Sequence, residues 1–305
     1  NKIAVNKNFN IISFLNYMIP LSVFFFYSGL SKYSNIQLLV KSTYMISTIF
    51  SYIEFIILDG YFTRFASSGY RVVSIFVNPN NFGIVMVILT VYLLSGETIQ
   101  KIQNKLFVLI NSLILIYLSG SRSAILIITV TGGIYFLNKI FSVVLNKNYI
   151  NIKNIMYLVI GSLLFIAMLI ISRDLLNSTI EYLNSKSRNL QIGLFTGAGR
   201  LYQINKFIDV ASSNINFPWR NFIIYVDNIY LHIWGMFGLP ILILFIFFNI
   251  YLLFKTIKKA EYYKTLLIIV FLTAGLSTNI FYLWPIAYIY WYLVGDILYI
   301  KSLNF

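Results

Sequence analysis

Cysteine is absent from the 305 residues, which excludes a disulfide framework, thiolate metal sites and cysteine nucleophiles and leaves the redox compartment open. Charge is scarce as well: only 10% of residues are charged, where a soluble domain of this length carries roughly a quarter. Acidic residues are scarcest, with 9 Asp+Glu against 23 Lys+Arg, so the net charge is +14. There is a single histidine, no Asp-x-Asp and no carboxylate cluster, so a divalent metal or other cofactor has little support. In place of charge the chain carries 59% hydrophobic residues, the composition of an all-α membrane protein. The basic excess does not indicate nucleic acid, because a nucleic-acid binder gathers its basic residues on a polar face and here they punctuate apolar runs. The chain opens on Asn1 without the basic-then-apolar layout of a signal peptide, which predicts a fragment whose upstream spans are missing.

About 20 apolar residues cross a bilayer core. That rule predicts nine spans, near 9–30, 36–58, 76–94, 106–120, 121–145, 155–171, 227–254, 265–283 and 285–303, within a single integral membrane domain covering 1–305. One long polar segment, 172–226, interrupts the series as a loop subdomain, with an amphipathic stretch at 201–211. Basic residues in the short loops set the orientation. Lys32, Lys101 with Lys105, Lys147 with Lys153, Lys255 with Lys258, Lys259 and Lys264, and Lys301 alternate correctly to share the cytoplasmic side. The segments 59–75, 119–122 and 172–226 and the turn near Trp284 then face outward. All seven arginines (64, 71, 122, 173, 188, 200 and 220) fall on that outer side, while twelve of the sixteen lysines fall inside or near the inner boundary. Lysine would satisfy a topology signal. An outer face that uses arginine suits what arginine offers, a planar fork that grips phosphate or carboxylate at two points and stays charged. Lipid head groups and the outer acids Asp59, Asp174, Glu181 and Asp209 are the alternative partners. Arg71 and Arg122 stand apart because each sits at the mouth of an apolar span, where charge is costly.

Three outer segments carry motifs. In the first, Arg71 precedes Asn78-Pro79-Asn80-Asn81, a helix-start signal with Asn as cap and Pro in the first turn, whose free amides can face an anion. The second is Ser119-Gly120-Ser121-Arg122-Ser123, where hydroxyls and a guanidinium share a tight corner that reads either as an oxyanion cradle or as close helix packing. The third pairs Gly197-Ala-Gly199-Arg200 in the loop with Asp227-Asn228-Ile229-Tyr230 and Gly238 at the start of a late span. His232 lies nearby, and as a lone His in an apolar stretch it reads as a packing residue. Asp296, inside the last span, reads as reaching water or pairing with Lys301 at the inner end.

In this order and on one side, the segments resemble the O-antigen ligase and polymerase superfamily, the Wzy-type polysaccharide polymerases and WaaL-type ligases, over about residues 60–255. The resemblance implies an all-α polytopic glycosyltransferase of GT-C architecture with one long outer loop, in the bacterial cytoplasmic membrane and with its active site facing the periplasm or outside. It implies no metal and an undecaprenyl-pyrophosphate-linked oligosaccharide as substrate, with a chain-length regulator and a flippase as further partners besides the lipid bilayer. Arg122 and Arg200 match the family's functional arginines, and Arg71 matches the arginine before the helix start. Where the ligases typically carry His-Asn, this chain has Asp227-Asn228, which is similar to the polymerases. Arg122 and Arg200 are therefore expected to hold the pyrophosphate, with Arg71 as a third contact or as the group that orders the site. Asp227 is read equally as the general base and as the cap of the span it opens. Asn78, Asn80, Ser121, Ser123, Asn228 and Tyr230 complete the expected substrate-binding set. A ligase acting on another acceptor and a lipid-linked oligosaccharide flippase remain the alternatives, although no internal repeat of the transporter kind is present.

Overall fold

In a computed structural model of the chain, the residues described are 36–58, 71–76, 78–95, 102–145, 207, 228–283 and 286–298. Regular structure among them is entirely helical. In order come α1 (Ile36–Ile56), a 3-10 turn (Ser74–Phe76), α2 (Pro79–Ser95), α3 (Ile102–Ser119), α4 (Arg122–Leu145), α5 (Ile229–Phe237), α6 (Leu239–Lys258), α7 (Tyr262–Gly275), a second 3-10 turn (Ile280–Tyr282) and α8 (Ile286–Leu298). The spans predicted at 9–30 and 155–171, and the loop 172–226 apart from Phe207, lie outside the described residues. The chain divides into two compact units, one of Ser47–Val91 with Gln100–Leu190, the other of Asn1–Ile46, Tyr92–Ile99 and Gln191–Phe305.

Helix α2 is apolar on every face, and Phe82 through Thr90 are buried without a break, as expected of a helix enclosed on all sides. Helices α1, α3 and α6 show the reverse of soluble amphipathicity. Along α1 the buried stripe is Thr43, Ser47, Ser51 and Glu54, while Leu38, Met45, Ile49, Phe50 and Ile56 are exposed. On α3, Asn111, Ser112 and Ser119 are buried and Phe107, Ile110, Ile114 and Tyr117 are exposed. On α6, Asn249 and Thr256 are buried while Leu244, Phe247, Tyr251 and Phe254 are exposed. The buried polar groups find one another across helices. In the first unit Tyr52 Oη donates to Asn111 Oδ1 at 2.7 Å, and in the second Tyr290 Oη donates to Asn249 Oδ1 at 2.8 Å.

By length and composition, α6 is the one helix among the described residues long and apolar enough to cross a membrane, and only 22% of its apolar window is buried. Its 20 residues rise about 30 Å at about 1.5 Å each, matching a hydrocarbon core.

The structure corrects two predicted spans and adds one ion pair. The span predicted as continuous over 227–254 is broken: α5 ends and α6 begins at Gly238, whose φ of 88° and ψ of 165° are open only to glycine, and Pro240 follows in the first turn of α6. The span predicted over 265–283 is helical only to Gly275, after which Asn279 caps a 3-10 turn. A Cβ at Gly275 would meet Ile229 Cγ2 at 2.5 Å, so the missing side chain lets α7 and α5 touch. Asp296 on α8 pairs with Lys264 Nζ at 2.8 Å, and Glu261 adds a second carboxylate at 3.3 Å; Lys301, one partner expected from the sequence, lies outside the described residues. Burying a lysine demands such a partner, and Lys264 is the cation that α7 holds within reach. Phe271, Phe281 and Trp291 surround Tyr290 with ring centroids 5.2–5.4 Å apart, in edge-to-face geometry that aromatic pairs favour.

Candidate functional site

The serine-arginine segment forms the corner between α3 and α4, entirely within the first unit. Gly120 turns the chain there with φ +58°, a conformation that L side chains rarely adopt. Ser119 Oγ donates to Ile116 O at 2.6 Å and accepts the Ser121 amide at 3.2 Å. Ser121 Oγ accepts the Ala124 amide at 3.3 Å and so caps α4. Both hydroxyls are buried, so they shape the corner from inside, while Arg122 is exposed and Ser123 half-exposed at its surface. Helix α2 approaches through Gly83: a Cβ there would lie 2.6 Å from Ser121 Cβ, 2.7 Å from Ser119 Oγ and 2.9 Å from Ala124 Cβ.

Arg71 joins the first motif to the second. Its Nε donates to Ser119 O at 2.8 Å, and its Nη2 donates to Gly120 O at 3.0 Å and to Asn80 Oδ1 at 2.9 Å. Asn80 thus holds the arginine, and its own amide is accepted at 2.9 Å by Asn78 Oδ1 at the start of α2. The Val72 amide donates to Leu118 O at 3.1 Å, continuing the attachment. These bonds tie Arg71 to the corner: a planar fork reading two carbonyls of a tight turn is a task for guanidinium, and lysine has no geometry for it.

Arg122 occupies the first position of α4, with no acidic residue in that turn. The helix dipole disfavours a cation there by about 0.3–1 kcal/mol. A guanidinium at the amide end of a helix instead combines two groups that attract anions.

Glu54 is the residue that sequence reasoning missed. It is buried in α1, and its Oε2 accepts the Val73 amide at 3.0 Å and the Ser74 amide at 2.7 Å. Its other oxygen, Oε1, is buried with no hydrogen-bond partner among the described residues. The signal available in the sequence was a lone carboxylate inside an apolar span, the pattern that marks a functional suspect in a membrane.

The described part of the third motif, Asn228 to Gly238, belongs to the second unit. Asn228, not Asp227, is the cap of α5: its Oδ1 accepts the Tyr230 and Leu231 amides at 2.9 and 3.1 Å, and its Nδ2 donates to Leu276 O at 3.0 Å. Tyr230 Oη donates to Leu272 O at 2.8 Å, a second tie between α5 and α7. His232 is buried, with Nε2 2.9 Å from Tyr282 Oη, the packing role expected for it. Phe207, the one described residue of the long loop, packs edge-on to Trp234 with centroids 5.2 Å apart. Asn228→Ala removes both the cap and the donor to Leu276 and is expected to lower stability by about 1–2 kcal/mol. Asn228→Asp keeps the cap and is expected to recover about half of that, as read from thermal unfolding of the purified proteins in detergent.

Arg200 and Asp227 lie outside the described residues. Among the described residues no group of three or more His, Asp or Glu side chains gathers where it could hold a metal ion. The chain matches no protein-family model and no curated protein sequence.

Proposed function

We propose that the protein is a polysaccharide polymerase of the cytoplasmic membrane, a multi-pass glycosyltransferase of the Wzy kind with GT-C architecture. It joins undecaprenyl-pyrophosphate-linked repeat units on the outer face. The observation that carries this function is the α3–α4 corner, where an arginine-ordered turn presents exposed Arg122 at the amide end of α4. The multi-pass membrane setting is supported by α1, α3 and α6, which bury their polar residues and expose their large apolar ones. That arrangement suits a hydrocarbon solvent, where polar groups must be satisfied inside the protein.

In the reaction, a hydroxyl of the sugar on one lipid-linked unit attacks the anomeric carbon of a second glycan. The bond from that carbon to the pyrophosphate oxygen breaks, and the lipid pyrophosphate leaves with the bonding electron pair. Arg122 and Arg200 stabilise the growing charge on the leaving group, the point at which fixed donors have most effect on rate. Arg71 holds the turn that carries Arg122. Asp227 takes the proton from the attacking hydroxyl. With Asn228 supplying the α5 cap, Asp227→Asn removes a base without removing the cap, and the rate is expected to fall by about 100-fold or more. A wild-type rate in this variant eliminates the base assignment.

The test of the function itself supplies purified protein with a lipid-linked repeat unit, alone and beside a different lipid acceptor. A ladder of repeats from the unit alone is expected. Transfer only to the second lipid assigns a ligase, and movement of the unit across the bilayer with no new glycosidic bond assigns a transporter.

A further inference from the structure

We propose that Glu54 is a positioning residue for the polymerase reaction: from inside α1 its carboxylate fixes the 71–76 segment and so aims Arg71 at the corner that carries Arg122. The role rests on the function proposed above for that corner. Glu54 is 2% exposed, so it does not meet substrate, and any effect on the reaction passes through its neighbours. Those neighbours are two successive backbone amides, Val73 and Ser74, donating to one carboxylate oxygen. Ser74 stands at φ +53°, in the left-handed region that a non-glycine residue holds only where its surroundings impose it. Its hydroxyl donates to Ser47 O at 2.9 Å, a second attachment to the same helix. On the other side of Val73 the chain is tied to the corner, by the Val72 amide on Leu118 O and by the Arg71 fork on Ser119 O, Gly120 O and Asn80. The short stretch from Arg71 to Ser74 is therefore held at both ends, by a buried carboxylate at one and by the turn at the other. With Oε1 unpartnered, the two amides are the hydrogen bonds this carboxylate makes among the described residues.

The test uses the full chain. Because the chain has no cysteine, Ile75→Cys provides a single spin-label site on the segment, at a residue already 44% exposed. Label mobility and the kcat and KM of polymer synthesis are measured for Glu54→Ala, Glu54→Gln, Glu54→Asp, Arg71→Ala and the Glu54→Ala/Arg71→Ala pair. Glu54→Ala is expected to free the label and to lower kcat by about 10- to 100-fold with KM unchanged, as small displacements of catalytic groups do. Glu54→Gln, whose amide oxygen still accepts both N–H groups, restores most of the rate and the rigid label. Glu54→Asp keeps the charge but withdraws it by one methylene, and is slower than Glu54→Gln. The double variant is no slower than Arg71→Ala alone, because both changes break one connection; a general loss of folding would add to it. Should Glu54→Ala yield no folded protein, the order of Gln and Asp decides. Glu54→Asp faster than Glu54→Gln, additive losses in the double variant, or a wild-type rate in Glu54→Ala overturns the positioning role while the wild-type ladder stands. A wild-type protein that forms no glycosidic bond overturns the polymerase function, and this role with it.

Discussion

Arg122→Ala is expected to slow polymer synthesis by about 100- to 1,000-fold, the loss that follows removal of one fixed donor aimed at developing charge. Arg122 is exposed at the first turn of α4, so its removal opens no cavity and leaves the hydrogen bonds of the corner, made by Arg71, Ser119 and Ser121, in place. The variant is therefore expected to remain folded, with the small change in unfolding temperature usual for an exposed position. Arg122→Lys keeps the charge and loses the two-point grip, and is expected to fall between wild type and alanine. Initial rates on a lipid-linked repeat unit, together with unfolding temperature, separate these effects. A variant that is inactive because it is misfolded fails the second measurement.

The largest loss of stability is expected at Gly83. The three atoms that a Cβ would meet within 2.9 Å belong to Ser119, Ser121 and Ala124, all buried at the corner. None is the far end of a flexible side chain: Ser119 Oγ is held by Ile116 O and the Ser121 amide. Gly83→Ala must push α2 away from the corner and is expected to cost about 1–3 kcal/mol. Gly83→Leu is expected to give no monodisperse protein in detergent. In Gly83→Ala the same displacement moves Asn80, which holds Arg71, so activity should fall in the fraction that folds. Unfolding temperature by intrinsic fluorescence and size-exclusion profiles check the outcome.

Most of the corner was legible in the sequence because its determinants are local. Asn78 before Pro79 starts a helix by its own stereochemistry, and a glycine between two serines turns the chain between α3 and α4. The break at Gly238 was not legible: hydropathy sums the whole run 227–254 as apolar, and a glycine in such a run reads equally as a packing contact or as a φ that only glycine permits. The pairing of Asp296 with Lys264 was not legible, because that partner comes from another helix and no local spacing rule brings the two together. Glu54 escaped because sorting charges by membrane side gives weight to groups of basic residues, and one carboxylate within 36–58 forms no group. Its partners lie 19 and 20 residues away, beyond any local spacing rule. Arg71 illustrates the intermediate case. Its position at a span mouth marked it as important, but whether its fork faces a ligand or a turn depends on contacts 48 and 49 residues distant.

In the proposed reaction the arginine-bearing corner acts on a lipid-linked pyrophosphate. This is tested most directly by incubating wild-type protein and the Arg122→Ala/Arg200→Ala variant, each in detergent at matched folded concentration, with one undecaprenyl-pyrophosphate-linked repeat unit and separating the products on a gel. A ladder of repeats in the wild-type lane and its absence from the variant lane is the predicted result; no ladder in the wild-type lane, or equal ladders in both, would contradict it.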